Sequence, residues 1–600
     1  MIRRWIFLIV LLILGLALFY NPDFKTIAAG VSILLFGMVT LETGFKVFTK
    51  GPLRRILKKA TDRPYKSISI GAIVTAIIQS SSLVSVITIS FISAGLISLY
   101  EGIGLIYGAN IGTTFTAWLV AAFGLKVNIS VLAMPILIFG IIFSFQSSKS
   151  LKGIGNVLTG LGFFFLGIHY MKEGFDVFKA YIDLTRFSIE GWTGIVIYTG
   201  VGILITTVLQ SSSASLALIL TALSVNQITY ENALALAIGT NIGTTVTALI
   251  GSIGSNIAGK RLALAHLIFN LVTGAIALIF IYPLARLVDL LADLTGIAAD
   301  DYTLKLAAFH TFFNILGVII MIPFMKTLER LLLKYVKESR VKDIDDPKFL
   351  NQAILEFPGT LVVSLVKETK YLFENAIFEI VAHALNMHRS DLTSDQKIKS
   401  VVKSSKKEMD VNVRDLYIRK VKSIYGVILE YATKAQSELN LEKAANKRVT
   451  EIKIANRKMV EIIRDVKELR INVLKYTQSD NVYMKREYQG FRRMVAKVLR
   501  SIQSMKDVQN PEKNKKHLEE LKRFYREKLQ RTNKRIDKLI RKNLIDVNMA
   551  SSLVNDHANV NDMIEKLIEI CELLYVESGS IIDPTGSENG HAHHNTDSAP

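Results

Sequence analysis

The chain has 600 residues, half of them hydrophobic and 21% charged, with one cysteine, Cys571, which excludes an internal disulfide framework. Its net charge of +20 does not read as a nucleic-acid signal, because much of the excess flanks apolar runs, where Lys and Arg orient a membrane protein. A mean hydropathy of +0.33 beside that charge excludes one uniform globular core and implies an apolar half joined to a polar half near Met325.

The apolar half begins with Arg3 and Arg4 and a run from Trp5 to Phe19. Gly15 and Ala17, the only small-residue pair suited to cleavage, lie inside the run, so segment 1–24 reads as an uncleaved first span rather than a signal peptide. Bilayer-crossing helices of about 20 apolar residues are expected at 5–20, 27–48, 102–122, 129–146, 153–172, 232–252, 261–282 and 305–325. The stretches 68–98 and 193–224 are too long for one span and carry polar clusters at their centres; each reads as a re-entrant helical hairpin. Arg3, Arg4, the segment Lys50 to Lys66, Lys149, Lys152, Lys260, Arg261 and the segment Lys326 to Lys342 are assigned to the cytoplasm, and Asp289, Asp293, Asp300 and Asp301 to the outside. This assignment holds only if the first hairpin enters from the cytoplasm and the second from outside.

An internal repeat with an offset of 131 supports that inversion. Gln79-Ser80-Ser81-Ser82 returns as Gln210-Ser211-Ser212-Ser213, and Asn110-Ile-Gly-Thr113-Thr114 as Asn241-Ile-Gly-Thr244-Thr245. Gly44-Phe-Lys-Val-Phe48 matches Gly174-Phe-Asp-Val-Phe178. The expected fold class is all-α: repeat 1 at 25–150, an inverted repeat 2 at 151–285, a final helix and connector at 286–340, and a soluble helical bundle at 345–576. Inverted repeats around a central site are a recurring plan of secondary transporters.

A serine triplet alone is compatible with helix packing, since small residues let helices approach. Two copies, each after a glutamine at the centre of an over-long apolar segment, point to a site. At a hairpin tip the free N–H groups and the positive dipole end favour an anion. Serine hydroxyls add donors without fixed charge, while carbonyls and the glutamine oxygen suit a small hard cation. No Lys, Arg or carboxylate lies beside these motifs in sequence, which argues for a bound cation as the anion's counter-charge and against a carboxylate proton relay. His266 with Asn270, echoed by His310 with Asn314, shares a helix face; an interhelical hydrogen-bond pair is the plainer reading and a substrate contact or gating role the other.

At these residues the chain resembles the bacterial sodium/phosphate cotransporter family, related to the type-II cotransporters of animals, over roughly residues 25–325. The resemblance implies a secondary transporter of inorganic phosphate coupled to sodium, in the bacterial plasma (inner) membrane, with both the N-terminus and the soluble domain cytoplasmic. It implies phosphate at Ser80, Ser81, Ser82, Ser211, Ser212 and Ser213. It implies sodium at Gln79, Gln210, Asn110, Thr113, Thr114, Asn241, Thr244 and Thr245. Where electrogenic animal relatives carry an acidic residue, this chain reads Ala133-Met134-Pro135-Ile136. Export by the same fold, or a membrane-anchored phosphate-signalling regulator, are the alternatives. No nucleophile–base pair or phosphate-cradling glycine loop points to an enzyme.

The polar half predicts helices at 357–388, 393–434, 437–477, 483–507, 511–544 and 546–576, with a break at Asn510-Pro511. Six long helices in this context resemble a PhoU-like regulatory domain. Asp556, His557, Asn561, Asp562 and Glu565, with Glu408 and Asp415, read either as a solvated face or as ligands of a divalent metal. The tail 577–600 has a disordered composition, and a homo-oligomer is the remaining partner expectation.

Overall fold

A computed structural model describes residues 22–48, 63–126, 129–181, 188–337, 346–356, 358–405, 411–439, 441–507 and 510–576, with a few single positions besides. The expected span 5–20, the basic loop 49–62 and the tail 577–600 fall essentially outside them, as does Glu408. The chain forms two compact units, Met1–Glu338 and Ser339–Pro600.

Unit 1 comprises α1 (Pro22–Phe48), α2 (Pro64–Ile78), α3 (Ser81–Ser93), α4 (Leu99–Trp118, continued by a π-helical turn Leu119–Gly124), α5 (Ile129–Ser144) and α6 (Lys149–Tyr181). There follow α7 (Gly191–Leu209), α8 (Ser212–Ser224), α9 (Tyr230–Ser252), α10 (Ile257–Ile279), α11 (Ile281–Thr295), α12 (Tyr302–Met321) and α13 (Met325–Tyr335). Seven of the described helices, namely α1, α4, α6, α7, α9, α10 and α12, are long and apolar enough to cross a membrane.

Glycine spacing fixes how the first helix packs. Gly30, Gly37 and Gly44 recur at every seventh residue of α1, and Gly153, Gly160, Gly167 and Gly174 do the same on α6. A Cβ at Gly37 would lie 2.5 Å from Phe164 N, one at Gly30 2.5 Å from Met171 N and one at Gly44 2.6 Å from Val157 N, so the helices run antiparallel with their backbones in contact. These are the helices that open the two repeats. Further in, the repeats share one contact: a Cβ at Gly112 would lie 2.7 Å from Thr75 Cβ, and one at Gly243 2.7 Å from Thr206 Cβ. α4 and α9 are thereby drawn inward, with 78% and 72% of their apolar windows buried against 28% for α1 and for α7.

Three features depart from expectation. α5 has 16 residues and Pro135 within it, shorter than the span expected at 129–146. The expected span 261–282 ends at Phe280, because Pro283 has no N–H to offer the Ile279 carbonyl; a separate amphipathic α11 follows, burying Leu284, Val288 and Ala292. α7, at 19 residues, is long enough to cross by itself, whereas α2, α3 and α8 have 15, 13 and 13.

Unit 2 holds α14 (Pro358–Leu372), α15 (Phe378–Ala384), α16 (Arg389–Thr393), α17 (Ile398–Ser404), α18 (Val413–Leu416), α19 (Ser423–Glu438), α20 (Lys443–Thr477), α21 (Val482–Asp507), α22 (Pro511–Arg541) and α23 (Val547–Cys571). A π-helical turn, Phe373–Ile377, joins α14 to α15 as the single helix expected there. The helix expected at 393–434 is instead broken into pieces. The buried Arg492 guanidinium of α21 donates to the carbonyls of Leu385 (2.8 Å) and Asn386 (2.9 Å), just after α15, and to those of Val402 and Ser405 (both 3.3 Å), where α17 ends. Asn412 then caps α18, its side chain accepting from Asp415 N–H at 3.1 Å. The last four helices form as expected, with Asn510 capping α22.

Gly37→Leu places a branched side chain against the α6 backbone and is expected to lower stability by about 3 kcal/mol, the upper end of overpacking costs. Gly200→Ala, at a position with nothing within 4 Å, is expected to leave stability unchanged. Thermal unfolding of the purified protein in detergent reads both.

Candidate functional site

The two Gln-Ser-Ser-Ser motifs form the same backbone turn. α2 ends at Gln79, which takes the left-handed conformation (φ 59°) while its N–H bonds the Thr75 carbonyl at 2.8 Å. Ser80 is extended, and its Oγ accepts from Leu83 N–H at 3.2 Å to open α3. In the second copy Gln210 has φ 53°, and Ser211 Oγ accepts from Ala214 N–H at 3.2 Å to open α8. Left-handed backbone costs a non-glycine residue about 1–2 kcal/mol. Glycine would adopt it freely, so glutamine at both turns marks a need for the side chain.

That need is visible at the first turn. Thr116 Oγ1 on α4 donates to Gln79 Oε1 at 2.8 Å and lies 3.1 Å from Ser213 Oγ on α8. With the threonine proton committed to the glutamine, Ser213 is the donor of the second bond. One hydroxyl thus joins the motif of repeat 1 to that of repeat 2. Sequence reasoning passed over Thr116, although the repeated segment extends to it: Asn110-Ile-Gly-Thr-Thr-Phe-Thr116 matches Asn241-Ile-Gly-Thr-Thr-Val-Thr247. Gln210 and Thr247 make no such bond, and Gln210 is exposed. The two copies agree in backbone and differ in side-chain engagement.

α1 reaches both turns from outside. Ser80 Oγ donates to Glu42 Oε2 at 3.4 Å, and one helical turn away Ser211 Oγ approaches Met38 Sδ at 3.9 Å. Met38 also lines a cavity of about 10 Å³, together with Leu41, Gln79, Thr116, Leu119 and Phe164. That is roughly the room one water needs. Glu42, ion-paired to Lys46 at 2.9 Å, corrects the expectation that no ionisable group stands beside these motifs. Distance in sequence hid it.

The threonines are arranged as acceptors. Thr113, Thr114, Thr244 and Thr245 each donate to a carbonyl three or four residues back in their own helix, at 2.7–2.9 Å. Their protons are spent there and their lone pairs remain.

Comparison with known proteins bears on this geometry. Residues 33–173 and 184–326 match the model of the Na+/Pi-cotransporter family. The membrane unit belongs to that family. An uncharacterized protein of Bacillus subtilis, YqeW, is 28% identical over 306 residues, half of this chain and 94% of its own. The "putative inorganic phosphate export protein YjbB" of Escherichia coli K12 is 27% identical over 346 residues, 57% of this chain and 61% of that one. The human "sodium-dependent phosphate transport protein 2C" is 35% identical over 118 residues, 19% of each chain. No solved structure matches.

Within the Na+/Pi-cotransporter unit the two His–Asn pairs behave differently. His310 Nε2 meets Asn241 Oδ1 at 3.0 Å, Asn241 Nδ2 donates to Asn314 Oδ1 at 2.7 Å, and Asn314 Nδ2 donates to the His310 carbonyl at 2.7 Å. This is an interhelical hydrogen-bond network between α9 and α12. Asn110, the repeat partner of Asn241, donates within its own helix to the Ile106 carbonyl at 2.9 Å. Asn270 Nδ2 donates to the His266 carbonyl at 3.1 Å, while both His266 ring nitrogens and Asn270 Oδ1 are buried with no partner.

The metal expectation in unit 2 finds no such centre: among the described residues no three His, Cys, Asp or Glu side chains converge on a metal position. The candidates are otherwise engaged. Asp556 accepts from Tyr488 Oη at 2.6 Å, and burial raises its carboxyl above the usual range. His557 faces Asn561 at 3.4 Å, its pKa lowered by burial. Asp562 pairs with Lys566 at 2.6 Å, and Asp415 pairs with Arg419. Glu565 raises the Tyr525 pKa after burial has done most of it.

Asn241→Ala leaves the buried side chains of His310 and Asn314 short of a partner. It is expected to cost about 1–3 kcal/mol, against less for Asn110→Ala. Unfolding temperatures of the two variants make the comparison.

Proposed function

We propose that the chain is a sodium-coupled secondary transporter of inorganic phosphate, working by alternating access between two inverted repeats. The observation that carries this reading is the Thr116 bridge from Gln79 to Ser213, which unites the two repeated motifs at one point. Antiparallel packing of α1 on α6 supports the inversion. α2–α3 and α7–α8 are then hairpins entering from opposite faces, their tips meeting where half-helix N-termini and serine hydroxyls favour an oxyanion. Ser80, Ser81, Ser82, Ser211, Ser212 and Ser213 are the phosphate donors. Gln79, Gln210, Asn110, Asn241, Thr113, Thr114, Thr244 and Thr245 offer the hard oxygens that a small cation needs.

The unlike engagement of the two glutamines supports a two-state cycle: Gln79 bonded and Gln210 exposed in one state, the roles exchanged in the other. Direction follows the gradients, so export, which the name of the E. coli relative specifies for that protein, is compatible with the same machine. His266 and Asn270, buried and short of partners, would join a gating movement. The helical unit 2 acts as a cytosolic PhoU-like regulator, and the bacterial inner membrane is the proposed location.

Radiolabelled phosphate uptake into proteoliposomes under an inward sodium or potassium gradient tests the reading. Uptake with sodium alone is expected. Thr116→Val should lower its rate about tenfold, the scale of one lost hydrogen bond to a functional group, and Thr116→Ser should restore most of it. Uptake that is equal in potassium, or unaffected by Thr116→Val, contradicts the proposal.

A further inference from the structure

The hairpin turns carry no formal charge, yet α1 brings a carboxylate to one of them. Glu42 Oε2 accepts from Ser80 Oγ at 3.4 Å, and its other oxygen, Oε1, is held by Lys46 Nζ at 2.9 Å. Ser80 Oγ accepts from Leu83 N–H at the same time, so its proton is directed at the carboxylate. The Glu42 side chain is 26% exposed and the Lys46 side chain 48%, so the carboxylate is the more enclosed of the two. An ion pair at i, i+4 that merely neutralised a glutamate in an apolar helix would need no contact with Ser80. This one is aimed at the residue that opens α3.

We infer that Glu42 is a ligand of the coupling cation, and that Lys46 is the tethered cation holding its place between cycles. This rests on the proposed sodium-phosphate reading and names a residue that the motifs do not contain. A carboxylate beside an oxyanion position repels the anion unless a positive charge stands between them. The Lys46 ammonium holds Oε1 of Glu42, while Oε2 faces Ser80. A sodium ion at this turn would be held by Glu42 Oε2 and by uncharged oxygens beside it such as Ser80 Oγ, and would present its charge to the phosphate. Sodium and Lys46 therefore compete for one carboxylate, and phosphate binds well only after sodium has won. Met38 and Leu41, on the same face of α1, line the cavity beside Gln79 and Thr116, so an α1 that follows Glu42 also changes the space available there.

Removing the carboxylate and removing the ammonium should thus have opposite effects. In proteoliposomes, Glu42→Gln is expected to raise the sodium concentration for half-maximal phosphate uptake about tenfold, which corresponds to about 1.4 kcal/mol. Lys46→Gln is expected to lower it. Glu42→Asp, which keeps the charge on a shorter stem, serves as a second variant in case Glu42→Gln folds poorly, and should raise it by a smaller factor. If Glu42 and Lys46 are only a structural pair, both substitutions harm uptake alike and the sodium dependence keeps its midpoint. A sodium-dependent wild type whose Glu42→Gln and Glu42→Asp variants stay within about twofold of its sodium midpoint overturns this inference alone. A wild type indifferent to sodium overturns the parent reading as well.

Discussion

A helix that stops inside an apolar slab strands its last carbonyls and the next helix's first amides, with no water at hand to take them. Unit 1 meets that constraint twice and in one way. A left-handed glutamine ends the first helix, and an extended serine caps the second with its own hydroxyl. On the proposed reading both turns lie within the membrane, where they need cover from neighbouring helices. The shared contact of Gly112 with Thr75 and Gly243 with Thr206 lets α4 and α9 lie against α2 and α7 at backbone distance. Ser81, Ser212 and Ser213 at the starts of α3 and α8 are buried, as are Asn110, Thr113, Thr114, Asn241, Thr244 and Thr245 on α4 and α9, while Gln79, Ser80 and Ser211 are half-buried and Gln210 is exposed.

Much of this was legible because residue identity repeats. Two copies of Gln-Ser-Ser-Ser and of Asn-Ile-Gly-Thr-Thr placed both turns and the helices that cover them. Thr116 and Thr247 were legible too, two residues past the motif, but their importance depends on which hydroxyl finds a partner, and only Thr116 does. Glu42 was not legible, since it and Ser80 are 38 positions apart and are brought together only by folding. The fragmented stretch after α15 has the same cause: Arg492 withdraws carbonyls from a segment 90–107 residues away, and local helix propensity cannot anticipate that. The separate α11 is the contrary case, because Pro283 was on view and specifies the break.

The repeats are alike in backbone and unlike in charge, and the second fact gives the first its use. On the proposed alternating-access reading, a backbone built twice in opposite orientations would have two conformations of similar energy, one with each turn engaged. If the side chains were equally symmetric, both turns would offer the same ligands and nothing would tie ion binding to one step of the cycle. Here Gly44 aligns with Gly174, so Glu42 of α1 stands where α6 has Lys172. A negative charge reaches the turn of repeat 1, and its counterpart in repeat 2 is positive. Antiparallel packing also lets α1 touch both turns at once, with Glu42 at Ser80 and Met38 at Ser211. One turn meets a charged oxygen and the other a soft sulfur. If Glu42 binds the coupling cation as inferred, the cation would distinguish between the two proposed conformations, and such a difference in affinity is the only means by which a ligand can bias an equilibrium of that kind.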